Sequence, residues 1–348
     1  MADAFLLVPG TGGTKLLANG ADIGYPVEMQ LRALLLGYLR RPIGEIVELL
    51  SMEHRAGQIA PVRTSMRRST EIVGGPVLEL AYNQVGLKYH RFRYDWRADL
   101  RHSAQQLLDR LIAEKPGGGR WRIVAHSQGG LLLVIASKLH AQRVGDDAGN
   151  AFSRLVRSVV LVGVPLHGTI NAASALALGE QLGESASSQF ASVIRSWPAI
   201  YQMLPDFENG LRRPNGSNAT TGLLHAASWS ANGGLSEDLL NRALQVHRTF
   251  LRHPFAYLRD VRVALVLSTN RPTREFATLT TRGLAFPAPG GRGDTLVPFA
   301  ATTRSMGAAE KRTLVELASD RARNIGVHSM LLTDPYVGTL LSRAEAVI

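Results

Sequence analysis

Ser127 is the residue best placed by its neighbours to do chemistry. It lies in Ala125-His-Ser-Gln-Gly129, between the apolar run Ile123-Val124 and the apolar stretch Leu131-Leu-Leu-Val-Ile-Ala136. A strand, a tight turn and a buried helix are the context in which small-x-Ser-x-Gly acquires meaning. The turn forces the serine into a strained backbone conformation and lifts its hydroxyl clear of the sheet. Positions two before and two after must be small, and Ala125 and Gly129 meet that demand. The helix starting beyond the serine points free amides and its positive end at any oxyanion that develops there. Taken alone, the same residues also describe a joint that merely happens to carry a serine.

A serine nucleophile needs a base to take its proton and an acid to orient that base. Where the nucleophile sits on such a turn, the expected order along the chain is Ser, Asp or Glu, then His. Asp294 lies in Gly293-Asp-Thr-Leu-Val-Pro298, downstream of the apolar strand Arg262–Leu267. His328 follows the β-like run Thr313–Leu317. We therefore expect Ser127, Asp294 and His328 to act together. Asp260 and Asp320 are rival acids that lack a Gly-Asp-Thr loop. The glycine-rich Pro9-Gly-Thr-Gly-Gly13 follows the apolar run Phe5–Val8 and is suited to offer the Thr11 amide as a second oxyanion donor, beside the free amides of the serine's helix. A phosphate loop is excluded there, because Lys15 lacks the Gly-Lys-Ser/Thr ending. Gly12, His126 and His167 are candidate substrate contacts, with the His126 ring turned from the hydroxyl. The ten histidines and no cysteine include no His-x-x-x-His spacing, so neither metal nor cofactor is expected.

The elements that would position these groups form an α/β arrangement. Strands are expected over Leu87–Tyr94, at the serine motif, over Val159–Val162 and over 262–267, separated by helical stretches. That rhythm predicts a mainly parallel sheet with helices on both faces. Asp95 or Asp99 is suited to cap a helix running through Ile112. The interval 169–260 breaks the rhythm and reads as an inserted cap over a core of 1–168 and 261–348. A smaller helical cap is expected at about 20–75, from the apolar spacing of Val27, Leu31, Leu34, Leu35 and Tyr38. Within it, 55–75 reads as an irregular connection, and 287–293 as a flexible loop.

These pieces resemble the α/β-hydrolase superfamily. Within it they are most similar to the lecithin:cholesterol acyltransferase group, which includes lysosomal phospholipase/transacylases. The matching runs are Leu7–Gly13, Tyr94-Asp-Trp-Arg97, Ala125–Gly130, Gly163-Val-Pro-Leu-His-Gly-Thr169, Gly293–Pro298 and Val327-His328. Tyr-Asp-Trp-Arg favours this group over bacterial lipases in general. The resemblance implies oxyanion amides from Gln128 and Thr11, and acyl transfer from a lipid ester to water or an alcohol, with cap segments covering an acyl groove. The cysteines of secreted members are absent, so their disulfide-held lid is not implied.

At 348 residues, with 45% apolar and 19% charged residues, the chain has the composition of a globular protein. Its net charge of +11 gathers in arginine groups such as Arg40-Arg41 and Arg91, Arg93, Arg97 and Arg101. Such a face suits an anionic membrane surface. Aromatics are sparse, at 6%, so nucleic acid is not an expected partner. The N-terminus lacks a basic region followed by a long apolar segment, and no apolar run reaches the length of a membrane span. A cytoplasmic protein, with peripheral membrane contact as an addition, is the expectation.

Overall fold

A computed structural model of the chain describes residues 3–18, 21–22, 51–52, 59–63, 88–179, 188–304, 306, 314–317, 328–333, 337 and 340. Its centre is a six-stranded sheet. In spatial order the strands are Leu314–Leu317, Arg262–Ser268, Val156–Val162, Trp121–His126, Ala4–Val8 and Lys88–Arg91. Every pairing between neighbours is parallel. Parallel strands buried on two faces should be largely apolar; Ala4–Val8 is so throughout and the inner strands are so along most of their length, whereas the edge strand Lys88–Arg91 is polar. Phe5, Leu7, Val124, Val160, Val162 and Val266 pack with Leu331, Leu332, Val337 and Leu340. Their alternates Leu6, Val8, Ile123, Ala125, Val159 and Leu161 face the larger core, together with Leu107, Leu111, Leu131 and Ile135. The period of two thus sends successive residues of one strand to two separate apolar layers. Each fully buried Leu, Val or Ile contributes roughly 1.5–3 kcal/mol.

Two of the helices that pack into the larger layer are Leu100–Ala113 and Gln128–Val144. The first is capped by Asp99, whose side chain accepts the Arg101 amide at 2.8 Å. The second ends at Gly145, where a left-handed φ of 67° suits glycine.

Two expectations are corrected. The run 55–75 is not wholly irregular: Ile59–Arg63 is a strand, paired antiparallel with Lys15–Ala18. The end of 287–293 is also ordered, since Gly291–Gly293 pairs antiparallel with Arg271–Thr273. That ladder leads straight into Asp294. In both places a partner strand outweighs the local turn composition that suggested a loop. The helical spacing at Val27 to Tyr38 falls outside the described residues. In the interval 169–260, Leu211–Arg212 pairs parallel with Ala277–Thr280. No helix among the described residues is long and apolar enough to cross a membrane.

Candidate active site

Ser127 stands between the central strand Trp121–His126 and its helix, with φ 52° and ψ −127°. A left-handed φ on a non-glycine residue is strained and persists only where the surroundings enforce it. Here the Ser127 amide donates to the Val162 carbonyl at 2.8 Å, and its carbonyl accepts from Gly130 at 3.0 Å. Its hydroxyl makes no capping bond to the helix it begins. Gly10 and Gly129 allow this turn to fit. A Cβ on Gly10 would lie 2.7 Å from that of Ser127, and one on Gly129 would lie 2.4 Å from the Val8 carbonyl oxygen. The small residue at 129 is thus demanded by the neighbouring strand rather than by Ala125 across the turn.

His328 and Asp294 are tied twice. The His328 Nδ1 lies 2.7 Å from Asp294 Oδ2, and the His328 amide donates to the Asp294 carbonyl at 2.8 Å. Both side chains are buried. The second oxygen, Oδ1, accepts the amides of Leu296 and Val297 at 3.0 and 2.7 Å. This loop carries another strained residue, Thr295 at φ 86°, whose amide donates to Thr273 Oγ1. Thr169 and Asn171 hold it from the other side through the Leu296 carbonyl. Gly163, at φ 58°, lies directly under the pair: a Cβ there would come within 3.1 Å of both Asp294 Oδ2 and the His328 ring. Of these supports, Thr295, Leu296 and Val297 stand in the quoted run Gly293–Pro298 and Gly163 and Thr169 in Gly163–Thr169, whereas Asn171 and Thr273 were not singled out in the sequence.

His126, a candidate substrate contact, meets the base. Its Nε2 lies 3.0 Å from the His328 carbonyl oxygen, and the two rings lie 4.8 Å apart. Burial, followed by the charge of His328, lowers its pKa to about 3. The ring is therefore neutral at physiological pH and donates through Nε2. His167 lies with Nδ1 3.2 Å from Asp206 Oδ1, while His247 approaches Asp206 Oδ2 at 3.5 Å. Burial raises the Asp206 carboxyl, but its bonds to His167 and His247 overcome this and hold it below the usual range. Asp206 and His247 had no signal in the sequence.

Thr11 and Gln128 face one another. Gly10 to Gly13 form a turn closed by the Gly13 amide and Gly10 carbonyl at 2.9 Å, with Gly12 at φ 73°. The Thr11 amide takes no part in that bond. Gln128 is the first residue of its helix, so its amide has no intrahelical acceptor. Among the described residues no group of three His, Cys, Asp or Glu side chains is placed to hold a metal.

The sheet, the turn and this edge define an α/β-hydrolase fold. Residues 84–239 match the family model for lecithin:cholesterol acyltransferase, so the chain is similar to that family over this segment. The matched segment contains Tyr94–Arg97, the serine turn and Gly163–Thr169, and ends before Asp294. Among solved structures, the chain is similar to the Tle4–Tli4 complex at 9% identity, with 99% of each chain covered and a TM-score of 0.60. Weaker likenesses include a lipase, BlEst2 of Bacillus licheniformis, at 12% identity, covering 77% of this chain and 66% of that one, TM-score 0.37. Another is phospholipase PlaB of Legionella pneumophila in complex with thio-NAD, at 12% identity over 57% of this chain and 34% of that one, TM-score 0.30. No curated protein matches the chain.

Proposed function

We propose that the protein is a serine hydrolase of carboxylic esters, acting on lipid or other acyl esters. The observation that carries this reading is the buried Asp294–His328 pair at 2.7 Å, lying at the sheet edge where Ser127 is held at φ 52°. His328 Nε2 takes the proton from Ser127 Oγ as Oγ bonds to the ester carbonyl carbon. The oxyanion rests on the Thr11 and Gln128 amides, with Gly12 shaping the approach. The carbon–oxygen bond to the alcohol breaks as His328 returns the proton to it, leaving an acyl-enzyme. Water, deprotonated by His328, then attacks the acyl carbon; the released Ser127 oxygen regains the proton. Asp294 orients the imidazole and compensates its charge, without itself taking the proton.

The family match over 84–239 supports a lipid acyl donor. An alcohol in place of water would make the same site an acyltransferase. We assign the core to 1–168 and 261–348 and the region 169–260 to a cap over the acyl chain, with a smaller cap at about 20–75. His167 then borders the substrate on the cap side. The +11 charge supports peripheral contact with an anionic membrane, and the protein works without a metal or cofactor.

The test is labelling of Ser127 by a fluorophosphonate probe, alongside turnover of short soluble esters and vesicular lipids. Ser127→Ala should lose both the label and about 10³-fold or more in turnover. Unchanged hydrolysis by Ser127→Ala would reject the mechanism, and absent labelling in the native chain would favour a binding protein on this fold. Adding an alcohol acceptor separates the reactions: acyl ester forming faster than free acid indicates transfer.

A further inference from the structure

Tyr94-Asp-Trp-Arg97 follows the strand Lys88–Arg91 and forms a turn beside the glycine loop. Its residues close a ring of hydrogen bonds. The Thr11 hydroxyl donates to Gln128 Oε1 at 2.6 Å. Gln128 Nε2 donates to the Trp96 carbonyl at 2.9 Å. Trp96 Nε1 donates to the Thr14 carbonyl at 2.9 Å, and the main chain runs back to Thr11 through Gly12 and Gly13. Outside the ring, the Tyr94 hydroxyl donates to the Pro9 carbonyl at 2.8 Å. Burial and, second, the charge of Asp95 push the Tyr94 pKa up, so it stays a donor. Arg97 lies on Asp95 through Nε at 2.9 Å and Nη2 at 2.6 Å, fixing the turn that presents the Trp96 carbonyl.

A loop with glycine at 10, 12 and 13 has little stiffness of its own. A donor aimed at a developing charge must nevertheless be set in place before the reaction. Gln128 is fully buried, so both ends of its amide must be satisfied within the protein, and the ring does this. The same side chain belongs to the residue after Ser127, so it couples the glycine loop to the start of the serine's helix. We infer that the Gln128 side chain, with Trp96 and the Thr11 hydroxyl, is a clamp that sets the Thr11 and Gln128 amides in register for the oxyanion. This inference rests on the serine-hydrolase reading above. The three are positioning groups, and the Tyr-Asp-Trp-Arg turn is the anchor of the clamp.

The experiment compares Ser127→Ala, Thr11→Val, Gln128→Met and the Thr11→Val/Gln128→Met double variant, by ester kinetics and by the rate of fluorophosphonate labelling. Valine removes the hydroxyl at nearly constant shape, and methionine removes both ends of the amide. Thr11→Val and Gln128→Met should each lower kcat and the labelling rate by on the order of tenfold to a hundredfold, with KM held within about twofold. The double variant should lose little beyond Gln128→Met, because both cut one ring. Thr11→Ser should recover most of the Thr11→Val loss. If Ser127→Ala is inactive but Thr11→Val and Gln128→Met turn over within about twofold of the native chain, the clamp is wrong and the serine mechanism stands. A loss confined to KM, or two losses that simply add, also overturns the clamp. Activity in Ser127→Ala removes the serine reading and the clamp with it. Should Gln128→Met fail to fold, Thr11→Val and Thr11→Ser, at a half-buried loop residue, decide the matter.

Discussion

The Nε2 of His126 lies 3.0 Å from the carbonyl oxygen of His328, so the residue before the candidate nucleophile is bonded to the backbone of the candidate base. The His126 ring is buried, and its pKa is lowered from an ordinary 6.5 to about 3 by that burial and by His328. Between those values the unfolded chain binds a proton that the folded chain refuses. This share of stability is complete above about pH 6.5 and is lost as pH falls towards 3. From pH 7 to pH 5 it amounts to about 2 kcal/mol. Urea unfolding should show the native chain losing that much more stability over the interval than His126→Asn does. Parallel slopes in the two proteins would mean that His126 does not titrate as described.

Gly163 and Gly145 separate backbone strain from contact with the site. Both have a left-handed φ, 58° and 67°, and a Cβ at Gly145 meets nothing within 4 Å. At Gly163 it meets Asp294 Oδ2 and the His328 ring at 3.1 Å. Alanine should cost about 1–2 kcal/mol of stability at either position. Only Gly163→Ala should also reduce ester turnover, by about tenfold or more, because the acid–base pair must move by a few tenths of an ångström. Equal turnover in the two variants would break the link between Gly163 and the pair.

How far the sequence disclosed this arrangement depends on how far apart the interacting residues are. The serine turn was legible because its strand, tight turn and helix are consecutive, and the parallel sheet because its strands alternate with helical stretches along the chain. The reasons behind the glycines were not. Gly10 meets Ser127, Gly129 meets Val8 and Gly163 meets Asp294, and no local pattern reports a contact between distant segments. The strand Ile59–Arg63 was hidden for the same cause: its own residues suggest a connection, and only its partner Lys15–Ala18 makes it a strand. Tyr94–Arg97 was recognised by resemblance alone, whereas its bonds to Pro9, Thr14 and Gln128 exist only in the folded chain.

Arg97 gives a test of the turn's stability. Its side chain is 2% exposed and forms a two-point pair with Asp95, which is 20% exposed. Removing one member of such a pair leaves the buried charge poorly compensated, at a cost of about 3–5 kcal/mol. Asp95→Ala should therefore destabilise the protein by about 3 kcal/mol, measured by denaturant unfolding. The double variant Asp95→Ala/Arg97→Met should regain most of the loss, since the charge is gone and the buried stem remains apolar. A double variant less stable than Asp95→Ala would show that Arg97 is held mainly by other groups.

Asp206 should set the acid limit of its own neighbourhood. Its carboxylate lies between His167, in the loop after the strand Val156–Val162, and His247, beyond the helix Glu237–Val246. Burial works to raise its pKa, but bonds to the two imidazoles prevail and hold it below the ordinary carboxylate range. A carboxyl depressed in the folded state contributes stability that is complete above its unfolded pKa, near 3.8, and is lost as pH falls further. Asp206→Asn should be less stable than the native chain at pH 7, by about 1–3 kcal/mol, because the imidazoles lose their charged partner. The gap should narrow below about pH 4, where the native carboxylate begins to take up its proton. Unfolding curves at pH 7 and pH 3 measure both. A gap that stays constant would show that the carboxylate's charge contributes nothing to holding residues 167 and 247 together.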